Sequence, residues 1–349
     1  MAALRYSDGT GPPVVMSIPA LKLPIKRGAL LAAANWPVVV VQFIAEATFK
    51  ILLAVPIVGG TFLVALALNQ DVQDVLADDL DLRRSATGVA TSLLEHPVAL
   101  ASFLAALAVV VVGGAALMFI LKGGTLAVLV DAQRHAGPVE RHPVRLALLR
   151  RASRTDVDVF LDGTRRLRRR FLRLGAFLLA TYVVSGAIYL SVVVAGYRAV
   201  GDDGFLVGWT VIAALCSAAL VAWLAVINAG YLVLQIIIAA RDVSVRAAAR
   251  EAARMLRSDT RRTLGVFLVT AGLVGVATLA SIVATAGLGL ISFVPFVGLT
   301  VLPLQLVAWL LRGLVFQYLG LASAGAYLFL YEAPADEAAS PVLSHGVTA

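Results

Sequence analysis

Between Thr263 and Leu330 the chain carries a single charge, Arg312. A soluble fold has no use for so long an apolar stretch, whereas runs above roughly 18 apolar residues mark membrane spans. Comparable runs recur, and six spans follow at about 37–68, 97–121, 174–197, 205–238, 263–287 and 303–331. The composition agrees: 60% of residues are hydrophobic, 14% are charged, and the mean hydropathy is +0.91. Ordinary soluble domains hold about 45–50% apolar and roughly 25% charged residues. The alternating segments of about ten residues that build a membrane β-barrel are missing. The expected fold is all-α, a polytopic six-helix transmembrane bundle with interfacial amphipathic helices on the cytoplasmic side.

Charge placement sets the topology. The net charge of +8 would suit nucleic acid if it were clustered on a soluble face. Instead the basic residues occupy short segments between apolar runs, where the positive-inside rule places them in a bilayer protein. Arg134 to Arg173 holds twelve arginines, and a second basic arm runs from Arg241 to Arg262. The segment 69–96 is acidic and reads as external. Both termini are therefore expected in the cytoplasm of a multi-pass cell (inner) membrane protein. Residues 1–28 read as a Gly/Pro-punctuated lead-in with a short interfacial piece, without the apolar core of a signal peptide. Residues 29–331 form the membrane domain, and 332–349 a polar, disordered tail. Cys216 is the one cysteine, so no intrachain disulfide forms.

The arms are patterned as helices. Thr155 and Asp158 match a capping box, and Val157, Phe160, Leu161, Thr164, Leu167 and Phe171 follow at helical spacing. Such a helix is expected to lie among headgroups before turning into its span at Leu174. In the second arm Val245, Ala248, Ala249, Ala252, Met255 and Leu256 form the stripe. The opposite faces offer Arg165, Arg166, Arg169 and Arg170, then Arg250, Arg254 and Arg257, as candidates for anionic lipid headgroups. Simple positive-inside orientation with solvated faces explains the same arginines more blandly.

The other candidate site lies within the first span. Gln42, Glu46 and Lys50 are four apart and line one helix face. Ionisable groups within a span are expensive and are often functional. Counting from Pro37 and Pro303 puts Glu46 and Arg312 at similar depth near the midplane, which predicts a Glu46–Arg312 ion pair with Lys50 nearby. That pair is either a packing staple or part of a polar site for an anionic substrate. The small residues Gly265, Gly272, Gly275, Thr278, Ser281 and Thr285 of the fifth span are expected at close helix contacts. Gly59-Gly60, Gly113-Gly114 and Gly123-Gly124 are expected to be packing or hinge points.

Catalytic and metal patterns fail. Asp158, Asp162-Gly163 and Arg165-Arg166 begin a phosphatidyltransferase-like motif, but the downstream aspartates are absent. Glu251-Ala252-Ala253 lacks the glycine and proline of a permease coupling loop. Asp131 with His135, and Glu140 with His142, lack a clear third metal ligand. No catalytic residue, metal or cofactor is expected.

Asp156-Val-Asp-Val159 and Asp242-Val-Ser-Val245 each open a basic arm, and each arm ends in paired arginines. The repeating unit reads as arm, span, span, with Ser17–Leu31 and the first two spans as a degenerate third copy. Six spans in three pairs, Lys122-Gly-Gly124 followed by Asp131-Ala132, and these arms resemble a family of uncharacterised bacterial membrane proteins. That family is similar to the membrane domain fused to some glycerophosphodiester phosphodiesterases. The resemblance covers most of residues 20–331 and implies the layout alone. Two functions are expected from these observations. One is a non-enzymatic protein that binds lipid or serves as a scaffold through its arms; the other is a small transporter or channel-like protein using the polar stripe.

Overall fold

The structure, a computed structural model, describes residues 18–67, 97–140, 145–153, 156–200, 206–292 and 297–339. Nine helices account for nearly all of them: α1 (Ile18–Ala34), α2 (Trp36–Ala67), α3 (Pro97–His135), α4 (Leu146–Ala152), α5 (Val157–Val200), α6 (Leu206–Arg241), α7 (Val245–Ser258), α8 (Thr260–Ser292) and α9 (Val297–Ala339). Six of these, α2, α3, α5, α6, α8 and α9, are long and apolar enough to cross a membrane. They expose large apolar side chains along their length, including Val109, Ile188, Trp223 and Val276. In water that surface would be a severe liability; in acyl chains it is the solvent-facing surface. The acidic segment 69–96, Thr155 of the capping box, His142 and Pro295 lie outside the described residues.

The chain forms two compact units, Met1–Val39 with Leu126–Asp156 and Ala222–Ala349, and Val40–Thr125 with Val157–Val221. In the first unit α1 packs against α9, and it also touches α8 and α4. Leu31 and Ala32 are fully buried, as are Val128, Leu129, Ile236, Ile237 and Leu328. The contact between α1 and α9 rests on glycine. A Cβ on Gly28 would collide with the Ala322 carbonyl oxygen and lie 2.6 Å from the Ala326 nitrogen; one on Gly325 would lie 2.9 Å from the Gly28 Cα. Residues 18–28 are therefore part of the packed structure rather than a lead-in to it. Pro24, Gly28 and Leu31 of α1 recur at helical spacing on the side that meets a partner helix.

In the second unit glycines again meet large side chains. Phe49 of α2 fills the space beside Gly114 of α3, Phe119 of α3 that beside Gly175 of α5, and Trp209 of α6 that beside Gly196. The Tyr189 and Ser217 hydroxyls share a hydrogen bond of 2.7 Å between α5 and α6. The first basic arm does not turn at Leu174. Its helix continues as one 44-residue element, because Leu167, Phe171, Leu174 and Leu178 stay in phase and all are buried. Phe160 and Thr164 cover Gly124 of α3, while Leu167 and Phe171 cover Gly123. At about 1.5 Å per residue this helix is roughly twice the ~30 Å hydrocarbon core, so it cannot fit wholly within it.

Two expectations hold only in part. Gly272 and Gly275 of α8 face open space, as do Gly59 and Gly113, whereas Gly265 is buried and Gly114, Gly123 and Gly124 meet side chains of neighbouring helices. Composition marks where close packing is permitted, whereas the phase of the helix decides where it occurs. Residues 332–339, expected in the polar tail, are helical, since α9 runs through Ala339.

Candidate functional site

The polar stripe of α2 lies in the second unit, against α3. Lys50 Nζ is 2.5 Å from Glu46 Oε1, an ion pair one helical turn apart. Gln42 Nε2 donates to Thr125 Oγ1 at 2.8 Å, and that hydroxyl donates to the Lys122 carbonyl at 2.9 Å. Glu46 also interacts electrostatically with Lys122. Gln42, Glu46 and Lys50 are thus joined by a second lysine and a threonine from α3. Arg312 belongs to the other unit, where its guanidinium lies 5.9 Å from the Phe316 ring centre.

Pairing of Gln42 with Thr125 fixes a register that counting from Pro37 cannot supply. The candidate span of α2 is Trp36–Pro56, with Glu46 at its middle, and that of α3 is Leu100–His135, which holds Lys122 and Thr125. The stripe opens sideways, with the side chains of Lys50 and Glu46 56% and 32% exposed. Val41, Ile44 and Ile51 beside it are exposed as well.

On α5, Arg165, Arg166 and Arg169 are exposed and Arg170 is half-buried, while the opposite side of that helix packs on α3. On α7, Arg250, Arg254 and Arg257 are exposed. Asp242, at φ 54° in the left-handed region, turns the chain out of α6. The Ser244 hydroxyl then accepts from the Ala247 N–H and caps α7. The covered side of α7 is rotated from the expected stripe. Ala248 is buried, but Ala249 and Leu256 are exposed. Glu251 takes a place on the covered side because its carboxylate accepts the Tyr331 hydroxyl at 2.6 Å. Arg241 lies 5.5 Å from the same tyrosine ring's centre.

A polar cluster in the first unit escaped the sequence reading. Arg27 donates from Nε to Gln133 Oε1 at 2.9 Å and from Nη1 to Glu140 Oε2 at 2.7 Å. Its guanidinium also lies 5.0 Å from the centre of the Phe329 ring. Lys26 Nζ donates to the Glu140 carbonyl at 2.7 Å. Arg27 and Glu140 side chains are only 10% and 11% exposed, so this is a buried ion pair with its hydrogen bonds made. The available signal was phase: Arg27 stands on the same stripe as Pro24, Leu31 and Asn35. Asn35, also buried, donates to the Leu31 and Ala152 carbonyls at 3.0 Å each. His135 Nδ1 lies 3.4 Å from Asp131 Oδ1, and among the described residues no three metal-ligating side chains converge.

Comparison with protein-family models, curated proteins and solved structures finds no match for this chain.

Proposed function

We propose that this integral membrane protein binds anionic phospholipid headgroups through its two arginine-lined arms, on the inner face of a cell membrane. The observation that carries this reading is the one-sidedness of α5. Its first turns are held by Gly123 and Gly124 on one side, which leaves Arg165, Arg166 and Arg169 exposed on the other. A helix running straight into a span carries these arginines on a backbone that is already ordered, so only their side chains are ordered when a headgroup binds. Clusters of basic residues at a span's inner end attract anionic lipids by about 1 kcal/mol per charge. Arg250, Arg254 and Arg257 of α7 add a second such surface in the other unit. Positive-inside orientation favours the same side for both, with the termini in the cytoplasm.

Spin-labelled lipids provide the test. The full chain in mixed vesicles is expected to enrich phosphatidylglycerol over phosphatidylcholine in its boundary layer, and salt should reduce the enrichment. Replacing Arg165, Arg166 and Arg169 by Gln should cut it by roughly fivefold per charge at sites that contact lipid directly. Equal enrichment by the wild type and this variant contradicts the reading.

A further inference from the structure

We propose that the exposed first half of α9 is an interface for a transmembrane helix of another protein, which brings a carboxylate to Arg312. This surface is separate from the arms and does not depend on them. Arg312 is exposed within the candidate span Pro303–Glu332. Among the described residues it makes no ion pair or hydrogen bond, and its guanidinium lies 5.9 Å from the centre of the Phe316 ring. Charges within spans are costly, so they face a bundle interior or a water-filled cavity and pair there. A ring face offsets only part of that cost. The helix around Arg312 is bare as well. Leu321, Ala324, Tyr327 and Leu328 of α9 are buried, whereas Leu304, Leu311 and Val315 are exposed. These three recur at intervals of seven and four, the spacing of a helix–helix seam, and they flank Arg312.

Depth and charge select the occupant. Arg312 lies about 14 Å along the helix from Pro303 and about 30 Å from Glu332, at ~1.5 Å per residue. No other charge interrupts the chain between Thr263 and Leu330. Snorkelling moves a charged head by no more than the length of its own side chain, which is short of either end. A lipid phosphate is therefore out of reach. A second copy of this chain fits less well. Among the described residues the carboxylate near the middle of a candidate span is Glu46, and it comes with its own cation, Lys50. A foreign helix with an Asp or Glu level with Arg312 supplies the missing anion, and its neighbouring side chains fill the seam. Guanidinium and carboxylate then pair through charge-assisted hydrogen bonds away from water.

Energy transfer to a synthetic helix tests the interface. The probe is a Leu/Ala transmembrane peptide of about 20 residues with one Glu at its centre. It carries an acceptor dye and is mixed in phosphatidylcholine vesicles with the full chain, donor-labelled at its C-terminus. Transfer is expected with this peptide and should fall roughly tenfold when Leu replaces the Glu, the scale of one polar contact between membrane helices. Arg312→Leu should lower it as much, and Arg312→Lys should keep most of it. Because position 312 is exposed, the Leu variant should elute and unfold as the wild type does. Equal transfer with the Leu peptide, or with Arg312→Leu, overturns the proposal. So does equal transfer when the Glu sits at the end of the peptide, because the contact would then lie among headgroups. Loss of transfer in phosphatidylglycerol vesicles would show that a headgroup reaches Arg312 and overturns it too. Glu46→Gln should bind the probe as the wild type does; stronger binding would mean that the chain's own Glu46 holds Arg312. Transfer between two full-length copies that vanishes in Arg312→Leu would make the occupant a second copy and overturn the assignment.

Discussion

Arg27 makes three kinds of contact at once: an ion pair with Glu140, a hydrogen bond to Gln133 and a cation–π contact with Phe329. A buried pair adds little over an apolar pair of the same volume, but breaking one by removing a single partner costs about 3–5 kcal/mol. Arg27→Met should therefore lower the thermal midpoint of the purified protein sharply, and Arg27→Met with Glu140→Leu should recover much of the loss. A single variant as stable as the wild type would show that Glu140 finds water or another cation. Legibility at this scale follows sequence distance. Gln42, Glu46 and Lys50 were readable because a helix brings residues four apart together. Lys122 was not, since only the register between α2 and α3 brings it to Glu46. Glu140 could be weighed only beside His142, because its partner Arg27 lies more than a hundred residues away.

Close helix contacts are made by particular glycines, and the chain's glycines divide into two sorts. Gly28→Leu and Gly325→Leu place side chains where the backbones of α1 and α9 already touch, so both should abolish monodisperse expression or shift unfolding by many degrees. Gly272→Leu, at a position facing open space, should be silent in the same assay; its failure would reveal a contact outside the single chain. Periodicity located the six apolar helices, because span length is imposed by the bilayer and leaves a strong signal. It could not tell which small residues face a neighbour, and α8 shows this most plainly. In α7 it missed the rotation of the stripe, since the partner of Glu251 is Tyr331 on a distant helix. For α5 the stripe holds at Phe160, Thr164, Leu167 and Phe171, which meet the glycines of α3, whereas Val157 and Leu161 are exposed.

Across the whole chain the arm, span, span layout recurs as α1–α2–α3, as α5–α6 with the arm fused to its span, and as α7–α8–α9. Two of the arms meet a glycine near the end of the last helix of another repeat, α1 at Gly325 and α5 at Gly124. In these contacts α9 stands to α1 as α3 stands to α5. The overall architecture was thus accessible from apolar length and charge placement. The chemistry of its sites was less so, because it depends on inter-helix register. The proposed lipid contact requires the arms to lie at the inner, anionic side of the membrane. The most direct measurement is cysteine labelling from outside intact cells. In a Cys216→Ser background, single cysteines placed at the exposed Arg168 and Ala249 should react with a membrane-impermeant maleimide only after the cells are permeabilised. Labelling of either position in intact cells would contradict the account.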